Sequence, residues 1–402
     1  MLKIVHISTT PKGGAGIAAY RLHKALLDSK TCHSIFICKE GNYSPTLENI
    51  KTVPKIKKSL IERAFRKIFN IKTPEALFQQ KKGLLQGKYE IISSPFSDYR
   101  IENHKDVQDA DIIHLHWITH FLNYPSFFKK LSHKKIVWTF HDMNPFMGIF
   151  HYKGDQLRNP SFEKLNKEIF NLKLKYLQPT KIHIIALSNW MKEEAKKVKQ
   201  FANSHFELIP NGVDINQFYP LEEGDCSEKK SILFVSESLN NYRKGIDLFL
   251  DCLSHINSPI KVLSVGNGNI TLSHNNNIEY INYGAVYDTE KLNAIFAKAD
   301  IFILPSREDN LPNVMLESFA SGTPVVSFSN GGMREWINDD TGYLCNEISS
   351  TALAEGINFA LKNFNKSKNS KIRDFATEHF SMQVQSKNIY EFYCRVVTGQ
   401  GF

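Results

Sequence analysis

The chain has 402 residues, 42% of them hydrophobic and 12% aromatic, and carries a formal net charge of +9. This length exceeds one small domain and suits two, and the apolar content excludes an intrinsically disordered chain. The positive balance fits an anionic partner, whether a phosphorylated small molecule, a membrane surface or nucleic acid, and does not choose among them. Six cysteines (Cys32, Cys38, Cys226, Cys252, Cys345 and Cys394) are scattered with no C-x-x-C pair. That pattern supports neither a zinc site nor a disulfide framework and points to a reducing compartment. The start, MLKIVHIST, reads as a strand and not as a signal peptide, and no apolar run is long enough to span a bilayer. A soluble, cytoplasmic protein is expected.

Residues 2–8, LKIVHIS, read as a buried parallel strand, TTPKGGAG as a glycine-rich loop, and Ile17 to Ser29 as a helix. Strand, glycine loop and helix form an anion-cradling arrangement. The glycines do not fit G-x-G-x-x-G, so a dinucleotide cofactor is disfavoured. Residues 51–88 break the rhythm. Lys51, Lys55, Lys57, Lys58, Arg63, Arg66, Lys67 and Lys72 crowd a stretch whose Leu60, Ile61, Phe65, Ile68 and Phe69 fit one helical face. It reads either as a solvated helical insertion or as a basic amphipathic surface for anionic lipid.

Further strands end at His114-Leu115-His116-Trp117, at His141-Asp142 after KIVWTF, and at Ser188 after IHIIAL. Residues 161–179 read as a helix. Leu208 to Asp214 is a strand end and turn, and the polar stretch 219–229 is the best linker. The strand–helix rhythm then restarts. Ser231 to Val235 is a strand before the loop Asn240 to Gly245, and Ile246 to His255 a helix. Lys261 to Val265 and Ile278 to Ile281 are strands, and Asp288 to Ala299 is a helix. Asp300 to Leu304 is a strand. A polar loop follows, then a helix from Asn313 to Ser321 stopped by Gly322, and a strand at Thr323 to Val326. Met333 to Ile337 opens a helix, and Ala352 to Phe364 and Met382 to Val397 are helices. The pattern is α/β, with two parallel sheets of similar build joined by a linker.

Three groups carry chemistry. Asp309 and Glu317 lie eight positions apart (317 − 309) across a loop-to-helix junction. Carboxylates there suit sugar or ribose hydroxyls, and the helix-end amides suit a phosphate. The alternative is an N-cap Asp309 and a surface Glu317. Arg243-Lys244-Gly245, at a second such junction, supplies fixed positive charge for a diphosphate, or merely exposed loop charge. His114, His116, His141 and Asp142 gather at strand ends. They are open to three readings: metal ligands, packed histidines, or hydrogen-bonding groups in a sugar cleft.

Together these motifs resemble the retaining glycosyltransferases of glycosyltransferase family 4. The resemblance is carried by PKGGAG, DIIHLHW with TFHDM, IPNGVDINQFYP, and REDNLPNVMLESFASGTPVV. It implies the GT-B fold, with two Rossmann-like doubly wound domains facing a central cleft. Residues 1–213 would bind the acceptor, with a basic helical insertion at about 51–88. Residues 214–381 would bind the nucleotide sugar, and 382–402 would form a C-terminal helix crossing back to the first domain. HLHWI paired with TFHDMNPFMG is similar to the subgroup building bacterial exopolysaccharide, capsule or lipopolysaccharide O-chains.

The resemblance also implies roles. Glu317 binds the donor ribose, and Asp309 stands where the family has a first Glu near the donor sugar. Asn310, Leu311 and Asn313 offer backbone N–H groups, Arg243 and Lys244 take the diphosphate, and Gly14 lets the N-terminal loop approach it. His141 lies by the transferred sugar, and His116 and Asp142 stand on the acceptor side. The implied partners are a nucleoside-diphosphate sugar and a glycan or lipid-linked acceptor, with no nucleic acid. Residues 51–72 are a candidate contact with anionic membrane, at the inner face of the cytoplasmic membrane. No metal site or other cofactor is expected, since no Asp-x-Asp stands at a convincing strand end. The sequence departs from the pattern at Asp309 (with Glu308 beside it), at Pro312, and at Arg334, where a proline is usual before Glu335. Rival functions are a sugar-nucleotide epimerase or phosphorylase of this fold, and an inactive scaffold subunit.

Overall fold

The structure, a computed structural model, describes residues 1–44, 47–56, 59–202, 204–221, 229–256, 258–272, 277–365 and 369–400. Lys57, Lys58, Cys226 and most of the proposed linker therefore lie outside the described residues. The chain divides into two compact units. Unit 1 is Met1–Leu187, Met191–Ile209 and the stretch from Ser386; unit 2 is Ser188–Trp190 and Pro210–Gln385.

Unit 1 is built on β1 (Lys3–Ile7), β2 (His33–Lys39), β3 (Ile50–Val53), β4 (Ile112–Leu115), β5 (Lys135–Phe140), β6 (Ile182–Ala186) and β7 (Phe206–Leu208). These pair in the order β3-β2-β1-β4-β5-β6-β7, every ladder parallel. Apolar, largely β-branched runs such as KIVHI and IHIIA follow from burial on both faces of a helix-covered sheet. One layer of the core joins Ile4, Leu22, Leu26, Ile112, Val137 and Ile185 to Ile389, Phe392, Tyr393 and Val396, from the helix Met382–Thr398. Ser386 onward thus belongs to the packing of unit 1.

Unit 2 is built on β8 (Lys230–Ser238), β9 (Ile260–Asn267), β10 (Ile278–Asn282), β11 (Ile301–Leu304), β12 (Val325–Phe328) and β13 (Gly342–Cys345). Their order is β10-β9-β8-β11-β12-β13, again all parallel. The helix Asn313–Ala320 connects β11 to β12. It stops as the sequence predicts. Gly322, at φ +75°, takes the left-handed position. Its N–H reaches Phe319 O at 2.9 Å, and the Thr323 N–H reaches Ser318 O at 2.9 Å. This is a Schellman closure, which a residue with a Cβ would strain.

The sequence reading needs four corrections. Lys51 lies in β3, an edge strand, so the insertion is not helical from its start; helices cover only Leu60–Ile68 and Pro74–Gly83. Four residues of mixed polarity give too little pattern to tell a strand from a helical stretch. Gly13, Gly14 and Gly16 are not in a loop but in the opening of the helix Gly13–Asp28. Met333–Glu335 is one 3-10 turn and not a full helix. The helix Asn369–Phe380, which buries Ile372, Ala376 and Phe380, was absent from the reading because its apolar face is sparse.

Candidate functional site

In a doubly wound sheet, ligands bind beyond the carboxyl ends of the strands where the strand order reverses. In unit 2 that point lies between β8 and β11. The loop after β8 carries Arg243 and Lys244, and the loop after β11 carries Asp309. The Arg307 N–H donates to Arg243 O at 2.8 Å, lacing one loop to the other. The Arg307 guanidinium grips Asp247 through two bonds of 2.7 and 2.6 Å and lies 3.9 Å from the Tyr242 ring centre.

Asp309 is the hub. Its Oδ2 lies 2.5 Å from Lys244 Nζ and 3.1 Å from an Arg243 Nη, and its Oδ1 accepts from the Asn310 N–H at 3.1 Å. Arg243 also donates to Glu308 O at 3.0 Å. Burial of Asp309 works to raise its pKa, but the Lys244 and Arg243 charges outweigh it and hold the carboxyl at about 2. Asp309 is therefore a permanent anion near neutral pH and carries no proton. One anion against two cations leaves a positive surplus, which suits a diphosphate.

The neighbouring backbone is tightly fitted. The Gly332 N–H donates to Asp309 O at 3.1 Å. Gly331 sits at φ +58°, and a Cβ there would stand 2.1 Å from Asp309 O. Gly331→Ala is expected to lower stability by about 1–3 kcal/mol through a strained backbone and to push the Asp309 loop aside. Urea unfolding measures the first effect, and faster limited proteolysis of the loop measures the second.

Asn310 and Leu311 are buried, and Ser188 Oγ donates to Asn310 Oδ1 at 2.6 Å. Asn313 opens the helix, and its Oδ1 lies 3.4 Å from Asn211 Nδ2, of the turn before Val213. Pro312, not Asp309, occupies the N-cap. Glu317 is the fifth of the helix's eight residues and is buried, which removes the reading of it as a surface residue. Glu335 accepts from the N–H groups of Asn189 and Trp190 at 2.8 and 2.7 Å.

In unit 1 the strand order reverses between β1 and β4, and the histidines gather there. His6 and His114 face each other across that ladder. His6 Nδ1 lies 3.0 Å from His116 Nε2, and His116 Nδ1 lies 3.2 Å from His141 Nε2. His114 bonds Tyr393 Oη at 2.6 Å and Thr139 Oγ1 at 2.8 Å. Burial, and then neighbouring imidazoles, push His6, His114 and His116 well below the usual histidine range. Burial likewise takes His141 to about 4, so all four are neutral near pH 7.

Asp142 turns toward a different set. Its Oδ2 meets His151 Nδ1 at 2.5 Å and Trp117 Nε1 at 3.1 Å, and its Oδ1 accepts from the Asn144 N–H at 2.9 Å. His151 in turn bonds Ser93. The segment after Asp142 is held by Lys173. This buried lysine donates to Asn144 Oδ1, Met147 O and Gly148 O, each at 3.0 Å, and to Asn144 O. Burial pushes its pKa down to about 7, against the pull of Asp142. Asp142 thus orders the loop beyond β5, and its carboxylate is fully engaged there.

The structure brings Arg243, Lys244, Asp309 and Asn310 together, and separately joins His116 to His141. Gly14 is exposed in the first turn of its helix, and a methyl group added to it would meet no atom within 4 Å. His6, His151, Ser93, Lys173 and Ser188 were missed as site residues. His6 alone carried a signal, a polar residue inside a strand pattern otherwise buried on both faces.

Residues 12–217, just over half of the chain, match the family described as Glycosyltransferase Family 4, and residues 229–363 match Glycosyl transferases group 1. TuaC of Bacillus subtilis, a glycosyltransferase assigned to teichuronic acid biosynthesis, is 28% identical over 183 residues, 43% of this chain. That match spans 45% of TuaC, under half of its length. The fold is similar to sucrose-phosphate synthase of Thermosynechococcus elongatus (TM-score 0.70, 17% identity, 100% of both chains). It is also similar to Anabaena HepE in complex with UDP-glucose (TM-score 0.63, 15% identity, 98% of this chain and 100% of HepE). The fold is therefore GT-B, with a Rossmann-like parallel sheet in each unit, and the chain belongs to glycosyltransferase family 4.

Proposed function

We propose that this glycosyltransferase is a retaining enzyme. It moves a sugar from a nucleoside-diphosphate sugar to a hydroxyl of a glycan or lipid-linked oligosaccharide in cell-surface polysaccharide biosynthesis. The observation that carries the donor class is the pair Arg243 and Lys244 converging on Asp309 at the switch point of the second sheet. The cations bind the diphosphate and stabilise its charge as it departs. Asp309 keeps them in place and meets donor-sugar hydroxyls, the N–H groups of Leu311 and Asn313, and that of Asn310 on release from Asp309 Oδ1, receive donor oxygens, and Glu317 takes the ribose. Gly14 admits the phosphate to the helix opening in unit 1. His141 serves the transferred sugar, and His116 and Asp142, whose polar atoms are taken by His6, His141, His151, Trp117 and Asn144, support the acceptor side by positioning. The anomeric carbon loses its bond to the diphosphate oxygen and gains one to the acceptor oxygen on the same face. The acceptor proton passes to the leaving phosphate. Two fixed cations supply the neutralising charge, and the proposal includes no metal ion. TuaC's assignment to teichuronic acid biosynthesis supports the cell-surface setting, and UDP-glucose in HepE supports the donor class.

A thermal-shift screen against GDP-, UDP-, ADP- and dTDP-sugars tests this. One base is expected to raise the melting point, with about 2.7 kcal/mol of stabilisation at a hundred times Kd. Silence toward all four would remove the donor assignment. Transfer of labelled sugar to an acceptor separates this function from an epimerase.

Membrane contact at the cytoplasmic face is part of the proposal. No described helix is long and apolar enough to cross a membrane. The helix Leu60–Ile68 and the turn after it expose Leu60 (81%), Ile61 (82%), Phe65 (53%), Ile68 (76%) and Phe69 (60%) beside Arg66 and Lys67. An exposed apolar face with basic flanks suits an anionic bilayer surface. The protein is expected to sediment with phosphatidylglycerol vesicles and not with phosphatidylcholine alone. Ile68→Glu with Phe69→Glu is expected to abolish that binding and leave the melting temperature unchanged.

A further inference from the structure

The three-histidine line His6–His116–His141 has a direction. In each link one imidazole nitrogen donates and the other accepts, and a neutral imidazole has one of each. Only two arrangements of protons satisfy both links. In the first, His6 Nδ1–H donates to His116 Nε2, His116 Nδ1–H donates to His141 Nε2, and His141 carries its own proton on Nδ1. In the second every bond runs the other way, and His141 carries its proton on Nε2.

The far end of the line decides between them. His6 Nε2 is buried and has no hydrogen-bond partner among the described residues. The second arrangement places an N–H on that atom, and the first leaves it a bare acceptor. Orphaned buried N–H groups are rarer than unsatisfied acceptors. The His6 and His116 rings lie within 24° of parallel with centres 5.3 Å apart, a pose that suits an in-line N–H···N bond, and Trp138 Nε1 donates to the His116 backbone O at 3.1 Å.

We propose that His6 and His116 are positioning residues that hold His141 as the Nδ1–H tautomer, making its ring a neutral hydrogen-bond donor through Nδ1. The inference rests on the reading of His141 as a substrate-facing residue only for its use in the reaction; the tautomer itself does not depend on it. With Nε2 accepting from His116 and the proton already on Nδ1, neither ring nitrogen is disposed to take the acceptor's proton, so His141 does not act as the base. The same geometry bears on metal binding. His6, His114 and His116 bring their ligand atoms within 4.8 Å of one another, yet all three are buried and His114 spends both nitrogens on Tyr393 and Thr139. A divalent cation there would need those bonds broken and its charge left without a carboxylate.

Long-range nitrogen–proton correlation on protein labelled with 15N-histidine, at neutral pH and without substrate, tests this. His141 is assigned by its loss in His141→Gln. The expected spectrum shows His141 protonated on Nδ1 and bare on Nε2. In His6→Phe, which ends the line, the bias is expected to collapse into exchange between both tautomers. A wild-type His141 protonated on Nε2, or on both nitrogens, overturns the proposal whatever the variant does. An unchanged tautomer in a folded His6→Phe overturns the role of His6. Stoichiometric binding of added zinc that displaces the His6, His114 and His116 signals overturns it in favour of a metal site. None of these outcomes depends on finding a sugar donor, so failure here is distinct from failure of the proposed activity.

Discussion

Lys244→Met is expected to lower kcat/KM for the nucleotide-sugar donor by about 10²–10³-fold, the cost of removing one preorganised donor from a developing charge. The loss should fall mainly on kcat if Lys244 binds the departing diphosphate more strongly than the bound donor. The substitution also acts without substrate. Asp309 has a folded pKa of about 2, below the ordinary 3.8, so the stability it contributes is present above the ordinary value and is lost as pH falls from about 4 to 2. That contribution is on the order of 2 kcal/mol. With Lys244 gone, only Arg243 remains to hold the pKa down, and acid unfolding should begin at higher pH. Equal turnover in wild type and variant, under donor concentrations below KM, would remove Lys244 from the site.

Lys173→Met is expected to destabilise unit 1 strongly, by about 3–5 kcal/mol, because several buried carbonyl oxygens lose their donor at about 1–3 kcal/mol each. The side chains are similar in length, so the loss is one of donors to Asn144, Met147 and Gly148 and not of volume. The pH dependence has a definite sign. Lys173 has a folded pKa of about 7 against an ordinary 10.5, so between those values the unfolded chain binds the extra proton. Wild-type stability therefore gains with pH across that window, and the variant lacks this gain. The difference between their urea-unfolding free energies should widen from pH 7 to pH 10. A constant difference would mean that Lys173 stays charged in the folded protein.

The parts of this fold that were legible are those where one physical constraint dominates a short stretch. The run Ile301–Leu304, the polar loop after it and the stop at Gly322 are each dictated locally, so strand, helix and closure could be read in order. The cationic pair Arg243-Lys244 and the acid Asp309 were legible as chemistry, but their meeting at Oδ2 was not. It depends on β8 and β11 lying side by side although they are distant in sequence. His151 and Lys173 were invisible for another reason, since they meet their partners through the path of an irregular loop that has no periodic pattern. Nothing near either residue hints that one will meet Asp142 and the other Asn144. Edge strand β3 failed differently: four residues with Lys51 exposed carry almost no periodic signal.

The membership of Ser386 and later residues in unit 1 has a consequence for biogenesis. Ile389, Phe392, Tyr393 and Val396 fill a layer of the same core as Ile4 and Leu22, from which they are far removed in sequence. A domain made first on the ribosome ordinarily folds first. Here the first seven strands can emerge and pair, yet the patch that Phe392 and Tyr393 cover stays open until those residues are themselves translated. At about 5–20 residues per second, the remaining stretch takes on the order of ten to forty seconds. During that interval the nascent chain is a natural client for chaperones. A premature stop shortly before residue 386 would leave unit 1, and not only the unit in which translation halted, with an uncovered core.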